Sequence, residues 1–439
     1  MKLSKQIFLY FLLASAAIFT ACGDDEAVFI DCSVNGCPAG FTCENGVCVQ
    51  DPTVIDCTTN PCADGFECVN GVCVEIASEV VVSSNITQNT TWVTGKCYVL
   101  AGRITVVNGV TLTIEPGVVV KGQAGAQAAA TALLIARGAK LMAEGTADLP
   151  IVFTSIADEL TPEDLAAGNY GSPNLSIDQN GLWGGLIVLG KARISAGGDA
   201  MEVQIEGIPT SDPNGLYGGT DDNDNSGVLK YISIRHGGTN IGSGNEINGL
   251  TLGGVGSGTV IENIEVVANQ DDGIEWFGGT VSVKNALVWN VGDDGIDTDQ
   301  SWGGTLDNFV VITVAGSSFE LDGPEGTYAA THTLQNGTVI ANDTANGRFS
   351  ADIIDLDDNS LTNLKNIYIT SIEAGQKIKS PNAVGSSFEN VFLDVPSAEL
   401  ANYVDGTVPA GLSAGGSPQA DVSVFGWTWA NEAGSLNGL

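Results

Sequence analysis

An all-β fold, a solenoid of stacked parallel coils, is what this chain of 439 residues predicts, and three observations predict it. The first is a repeat. Six asparagines, Asn263, Asn285, Asn308, Asn336, Asn366 and Asn390, each follow an apolar and a polar residue and stand three positions ahead of an aliphatic one. The apolar residues ahead are Ile261, Val283, Leu306, Leu334, Leu364 and Phe388, and those behind are Val266, Val288, Val311, Val339, Ile369 and Leu393. The first two intervals are 22 and 23 residues, which gives one coil per repeat, each burying its apolar edge on the next. Leu229, Tyr231 and Ile234 extend the register one coil upstream, with tyrosine in the asparagine's place. Asparagine suits such a corner because it tolerates left-handed backbone and its amide can bond the neighbouring coil. The second observation is composition: 57 glycines and 7% aromatic residues imply short strands and tight turns. The third is that no long stretch carries helical periodicity. Leucine-rich repeats share the period, but their asparagine follows a leucine-rich strand and their leucine content is higher. Residues 76–439 leave room for roughly 14 to 16 coils, a body about 65–75 Å long at ~4.8 Å per coil.

Ahead of the coils, residues 1–21 read as a secretory signal. Lys2 and Lys5 precede an apolar run from Ile7 to Ile18 that is too short to span a membrane. Phe19-Thr20-Ala21-Cys22 resembles a bacterial lipobox, with Phe19 where leucine is usual. The resemblance implies that Cys22 is diacylated and becomes the mature N-terminus. Gly23-Asp24-Asp25-Glu26 resembles the acidic export signal of Bacteroidota surface lipoproteins, which implies a lipid-anchored tether over residues 22–30 on the outside of the outer membrane. Losing the signal removes two of the 16 basic residues and none of the 52 acidic ones. So acidic a chain excludes nucleic acid as a partner and favours divalent cations.

Two copies of one cysteine module come next, over residues 31–50 and 56–75. Cys32, Cys37, Cys43 and Cys48 are spaced C-x4-C-x5-C-x4-C, and Cys57, Cys62, Cys68 and Cys73 repeat that spacing. Neither module holds a histidine or a C-x2-C pair, so disulfides rather than zinc are expected in an exported chain. Segments this short need such bridges in place of a core. They resemble truncated EGF-like modules, and their expected role is to space the solenoid from the membrane. Cys97 is left over and is expected to be a buried small hydrophobe.

Leu112-Thr113-Ile114-Glu115-Pro116-Gly117, Pro150-Ile151-Val152-Phe153-Thr154-Ser155, the run from Gly181 to Gly190, and that from Glu320 to Gly326 follow. These resemble the coils of right-handed parallel β-helix lipoproteins of Bacteroidota over most of residues 80–439. The expectation is therefore a right-handed parallel β-helix over 76–439, preceded by two small disulfide-rich modules. Thr161-Pro162-Glu163-Asp164-Leu165 reads as a capped short helix on an excursion from the coils.

The coil register gives the candidate site. Twelve residues after Asn263, Asn285 and Asn308 stand Glu275, Asp297 and Glu320, flanked by apolar residues. Alternation turns the flanks inward and the acids outward in one column. Asp299 and Asp322 follow two positions on, and Asp271-Asp272 and Asp293-Asp294 lie in the preceding turns. Like charges ~4.8 Å apart raise carboxyl pKa values or demand a cation, and calcium, with six to eight oxygen ligands, suits such a wall. Arg348, at the matching offset from Asn336, is expected to end the column in an ion pair. Asp222 and Asp224, in the loop Asp221 to Gly227, match the first half of a calcium loop, although Ser233 stands where an EF-hand has glutamate.

Three readings of the wall stay open: a cation site, a solvated acidic face, and catalysis by carboxylates. For the third, Asn269-Gln270-Asp271-Asp272-Gly273-Ile274-Glu275 and Gly292-Asp293-Asp294-Gly295-Ile296-Asp297 resemble the two aspartate motifs of polygalacturonases. That resemblance implies roles for Asp272, Asp294 and Asp297, but the family's glycine-histidine-glycine motif is missing. Its basic motif has only a distant echo in Lys377-Ile378-Lys379. The expected function is calcium-supported binding or adhesion to glycans or to another surface, including a surface protein. Cleavage of polysaccharides by a hydrolase or lyase is the alternative.

Overall fold

The computed structural model describes residues 79–240 and 247–439, together with the backbone of four short strands between 41 and 75. Cys22, Cys32, Cys37, Cys57 and Cys62 lie outside the described residues. Each cysteine module contributes one antiparallel hairpin, Phe41–Glu44 with Val47–Gln50 and Phe66–Val69 with Val72–Glu75. The two share a register that sets Cys43 opposite Cys48 and Cys68 opposite Cys73.

The rest is a parallel β-helix. Its longest ladder runs through twelve strands from Glu79–Val82 to Leu412–Ala414. That is fewer than composition and period suggest, because long stretches leave the coils between Ser155 and Leu186 and again between Leu189 and Gly227. From Gly227 onward each coil carries one long strand broken at a single left-handed residue: Tyr231 at φ 51°, then Asn263, Asn285, Asn308, Asn336, Asn366 and Asn390 at 50° to 61°. The break folds the strand into two faces. Upstream those faces are separate strands, and Gly227–Arg235 joins them by pairing with Lys140–Glu144 through its first half and Ile151–Ser155 through its second.

The asparagines stack as expected. Asn285 donates to Asn263 (2.9 Å), Asn308 to Asn285 (2.8 Å), Asn366 to Asn336 (3.1 Å) and Asn390 to Asn366 (3.1 Å). Between Asn308 and Asn336 the chain of bonds is interrupted. Asn308 instead exchanges hydrogen bonds with the backbone of Asp421, and Asn336 donates to Asp307.

The third face is a separate sheet of eight strands: β1 (Arg103–Val106), β2 (Ala132–Ile135), β3 (Leu186–Leu189), β4 (Leu250–Gly253), β5 (Ile274–Phe277), β6 (Ile296–Asp299), β7 (Ser317–Leu321) and β8 (Asp352–Leu356). Inward residues of all three faces fill one continuous core. Within it Trp276 stacks on Trp302 at 4.5 Å and Phe309 meets Phe319 edge-on at 5.6 Å.

Parts of the outer surface are roofed. Ile194, Ile205, Ile208 and Tyr217 of the second excursion cover Leu134, Ile187 and Phe277 on the β1–β8 face. The C-terminal segment lays Phe425, Trp429 and Leu436 over Val267, Leu287, Val310 and Ile312 on the face beyond the asparagine corners. The expected short helix forms at Pro162–Ala166, its N-terminus closed by a reciprocal capping box between Thr161 and Asp164, and with Leu160 it covers Val99, Val119 and Val152. Cys97 is buried against this patch, as its small apolar side chain predicts, but it is disulfide-bonded rather than left over as a thiol.

Candidate functional site

The acid column is built by the β1–β8 face. Strand register aligns Thr251 with Glu275, Glu275 with Asp297, Asp297 with Glu320, and Glu320 with Asp355. On β5 to β7 the neighbours of these acids, Ile274, Trp276, Ile296, Phe319 and Leu321, are buried in the core, so alternation turns the carboxyls outward. The column starts where the roof stops. Upstream of Glu275 the same positions are Thr251, Ile187 and Leu134.

A second column lies in the turn just before the strands. Asn248, Asp272, Asp294 and Ser317 occupy equivalent places, each two positions ahead of a residue paired along the face or, for Ser317, ahead of Phe319. The glycines that follow, Gly249, Gly273 and Gly295, admit no side chain. A Cβ there would come within 2.4 Å, 2.5 Å and 2.7 Å of Val266, Val288 and Val311 respectively. Tight packing against the next face therefore fixes the glycine after Asn248, Asp272 and Asp294, whereas Ser317 is followed by Ser318. Asp272 accepts the amide of Asp294 (2.8 Å), and Asp294 accepts the amide of Ser317.

The two columns meet. Among the described residues, two groups of carboxylates bring one oxygen each within 4.8 Å of one another: Asp272 with Glu275 and Asp297, and Asp271 with Asp272 and Asp293. This is a recessed cluster rather than the solvated wall that alternation alone suggests, since Asp272, Glu275 and Asp294 are all buried. Burial pushes the carboxyls of Asp272, Glu275 and Asp297 well above the ordinary range, and their mutual repulsion adds to it. Glu275 and Asp297 share a hydrogen bond. A hydrogen bond with Asp294, then burial, raises Glu320 to about 9. Burial raises Asp299 to about 7, and burial with the charge of Asp357 raises Asp322 to about 6. Among the described residues none of Asp272, Glu275, Asp294, Asp297, Asp299, Glu320 or Asp322 forms an ion pair with a lysine or arginine.

Three expected features fall elsewhere. Arg348 does not end the column. It sits in a hairpin with Asn342–Asp343 and pairs with Asp178 (2.8 Å) and Asp343 (3.2 Å). The hairpin lengthens the offset from Asn336 to the column from twelve residues to nineteen, so Asp355 takes the place. The column is closed by Lys379, bonded to Asp352 (2.8 Å) and Asp355 (2.6 Å). The Asp221–Gly227 loop is not part of the cluster. Asp222 is gripped by Arg193, whose Nε lies 2.9 Å from it, and Asp224 is buried against Ser226 at 3.1 Å. Neither histidine reaches the acids: His332 lies in the core near Thr298 (3.4 Å), and His236 near the carbonyl of Gln179 (2.5 Å).

Sequence reasoning did not pick out Asn248, Asp355 or Lys379 as members of these columns. Asn248-Gly249 could have been found by aligning it with Asp272-Gly273 and Asp294-Gly295.

Buried oxygens without cationic partners are what a hard cation requires. Three carboxylates of the Asp272 group leave several of the six to eight positions of a calcium ion open to water or a ligand's oxygens. The same oxygens lie closer together than the ~6.5–9.5 Å that inverting hydrolysis keeps between its carboxyl groups.

A family model described as a pectate-lyase-like β-helix domain matches residues 84–170 and 172–410. No curated protein and no solved structure matches the chain. The matched span takes in β1 to β8 and every carboxylate of both columns, and the chain belongs to the pectate-lyase-like β-helix family.

Proposed function

We propose that this protein binds glycans at the β5–β7 face through a calcium ion held by Asp272, Glu275 and Asp297. The observation that carries the reading is the convergence of those three carboxylates, one oxygen each within 4.8 Å, with no lysine or arginine paired to any of them among the described residues. Outside a cell, calcium is the abundant hard cation, and its remaining positions suit the carboxylates or hydroxyls of a sugar. Family membership supports a carbohydrate ligand. In this reading Cys22 carries the lipid, the cysteine modules space the β-helix from the outer membrane, and the acidic face meets glycans or another surface.

Cleavage of the glycan is a second reading, favoured by one observation. Asp299 is raised to about 7, where a carboxyl can serve as general acid. Against an inverting mechanism stands the tight spacing of the trio, and against elimination the tie of Lys379 to Asp352 and Asp355. A polysaccharide array probed with the purified chain separates these readings. Retention that is lost in chelator and in Asp297→Asn, without new reducing ends or unsaturated products, is expected. Retention indifferent to chelator overturns the calcium reading, and product formation abolished by Asp299→Asn promotes the enzyme.

A further inference from the structure

The turn column contains one member that breaks its own pattern. Asp272 and Asp294 each use a side-chain oxygen to accept the backbone amide one coil further on. Asn248, in the same place one coil earlier, does not. Its Nδ2 is turned onto Glu275 Oε2, and its Oδ1 is buried with no hydrogen-bond partner among the described residues. The residue is 1% exposed, so water does not satisfy that oxygen from bulk, and a buried acceptor left unpaired is costly. The amide thus sides with the acid cluster instead of the ladder it belongs to by register.

We propose that Asn248 is both the fourth oxygen ligand of the Asp272–Glu275–Asp297 cation site and its placeholder in the calcium-free protein. This rests on the cation reading above. An amide has a donor end and an acceptor end, and a half-turn about its last torsion exchanges them. Without calcium the NH2 end steadies the Glu275 carboxyl. With calcium the Oδ1 end turns in and ligates, as asparagine carbonyls do in calcium sites. A neutral fourth ligand also spares the site a further like charge, which would repel the three carboxylates when no ion is bound.

Calcium titrated calorimetrically into the full chain, wild type beside Asn248→Leu and Asn248→Asp, tests this. Asn248→Leu is expected to weaken calcium binding tenfold or more. Asn248→Asp is expected to bind calcium more tightly than wild type at neutral pH and to melt lower than wild type in chelator. If Asn248→Leu fails to fold, Asn248→Ala takes its place, since it removes the amide oxygen without adding charge, and wild-type calcium affinity in it overturns the role of Asn248. Wild-type affinity in both variants overturns the role of Asn248 while leaving the cation site standing. A wild type that takes up no calcium removes the site and this inference together.

Discussion

Asn285 shows what a single corner residue contributes. It holds φ at 58°, accepts from Asn308 at 2.8 Å and donates to Asn263 at 2.9 Å. Alanine would lose both bonds and the local side-chain hydrogen bonding that lets asparagine tolerate left-handed backbone. At ~1 kcal/mol for each bond and ~1 for the backbone, Asn285→Ala should cost about 2–3 kcal/mol in urea unfolding. Asn285→Gly should recover the backbone share. Asn390→Ala, at the exposed end of the stack with one bond to Asn366, should cost roughly half as much. Equal losses at the two positions would show that the ladder does not work through these amides.

Among the elements, the C-terminal segment does the most unexpected packing. It covers a fully buried ion pair, Arg235 with Glu265 at 3.5 Å, and its Ala430 amide donates to Glu265 at 3.0 Å. Trp429 lies over the Arg235 guanidinium at 5.2 Å. Burial lowers the guanidinium's pKa while the charge of Glu265 opposes that. Removing one partner of such a pair leaves the other charge uncompensated, typically a loss of 3–5 kcal/mol. Glu265→Gln should therefore lower stability by about that much and expose the C-terminal segment to proteolysis before the coils unfold. Resistance equal to wild type would mean that the pair does not hold the segment. None of this was readable in the sequence, because the partners lie 165 residues apart between Glu265 and Ala430 and periodicity says nothing about what covers an outer face. The corners and the Glu275–Asp297–Glu320 column were readable, since those coils run at 22 and 23 residues without insertion. Legibility ended at the Asn342–Phe349 hairpin, which displaced Arg348 from the column, and at Asn248, which follows its corner Tyr231 by 17 residues where Asp272 and Asp294 follow theirs by 9.

For the whole molecule the recessed acids predict an inverted pH response. Asp322, Asp299 and Glu320 are raised to about 6, 7 and 9, so the folded chain keeps protons that the unfolded chain releases near 4. Their protonated forms add stability in full below the unfolded pKa, and that stability is lost as pH rises through 6, 7 and 9. A net charge of −36 at pH 7 adds general repulsion in the same direction. In chelator the melting temperature should fall steadily from pH 5 to 9, and calcium should flatten the slope by replacing the lost protons. A melting temperature that rises over that range would contradict the protonated, recessed cluster. The return path of the C-terminal segment has a different consequence, one for evolution. Its backbone is pinned at Thr338 Oγ1 (2.9 Å), then at Asn308 (2.7 Å) and at Glu265 (3.0 Å), and Glu432 finally accepts the amides of Tyr170 and Gly171. Each pin belongs to a different coil, so the segment acts as a ruler laid along the solenoid. Duplicating or deleting a coil between Tyr170 and Thr338 would shift one pin past the next by ~4.8 Å, further than any hydrogen bond can stretch.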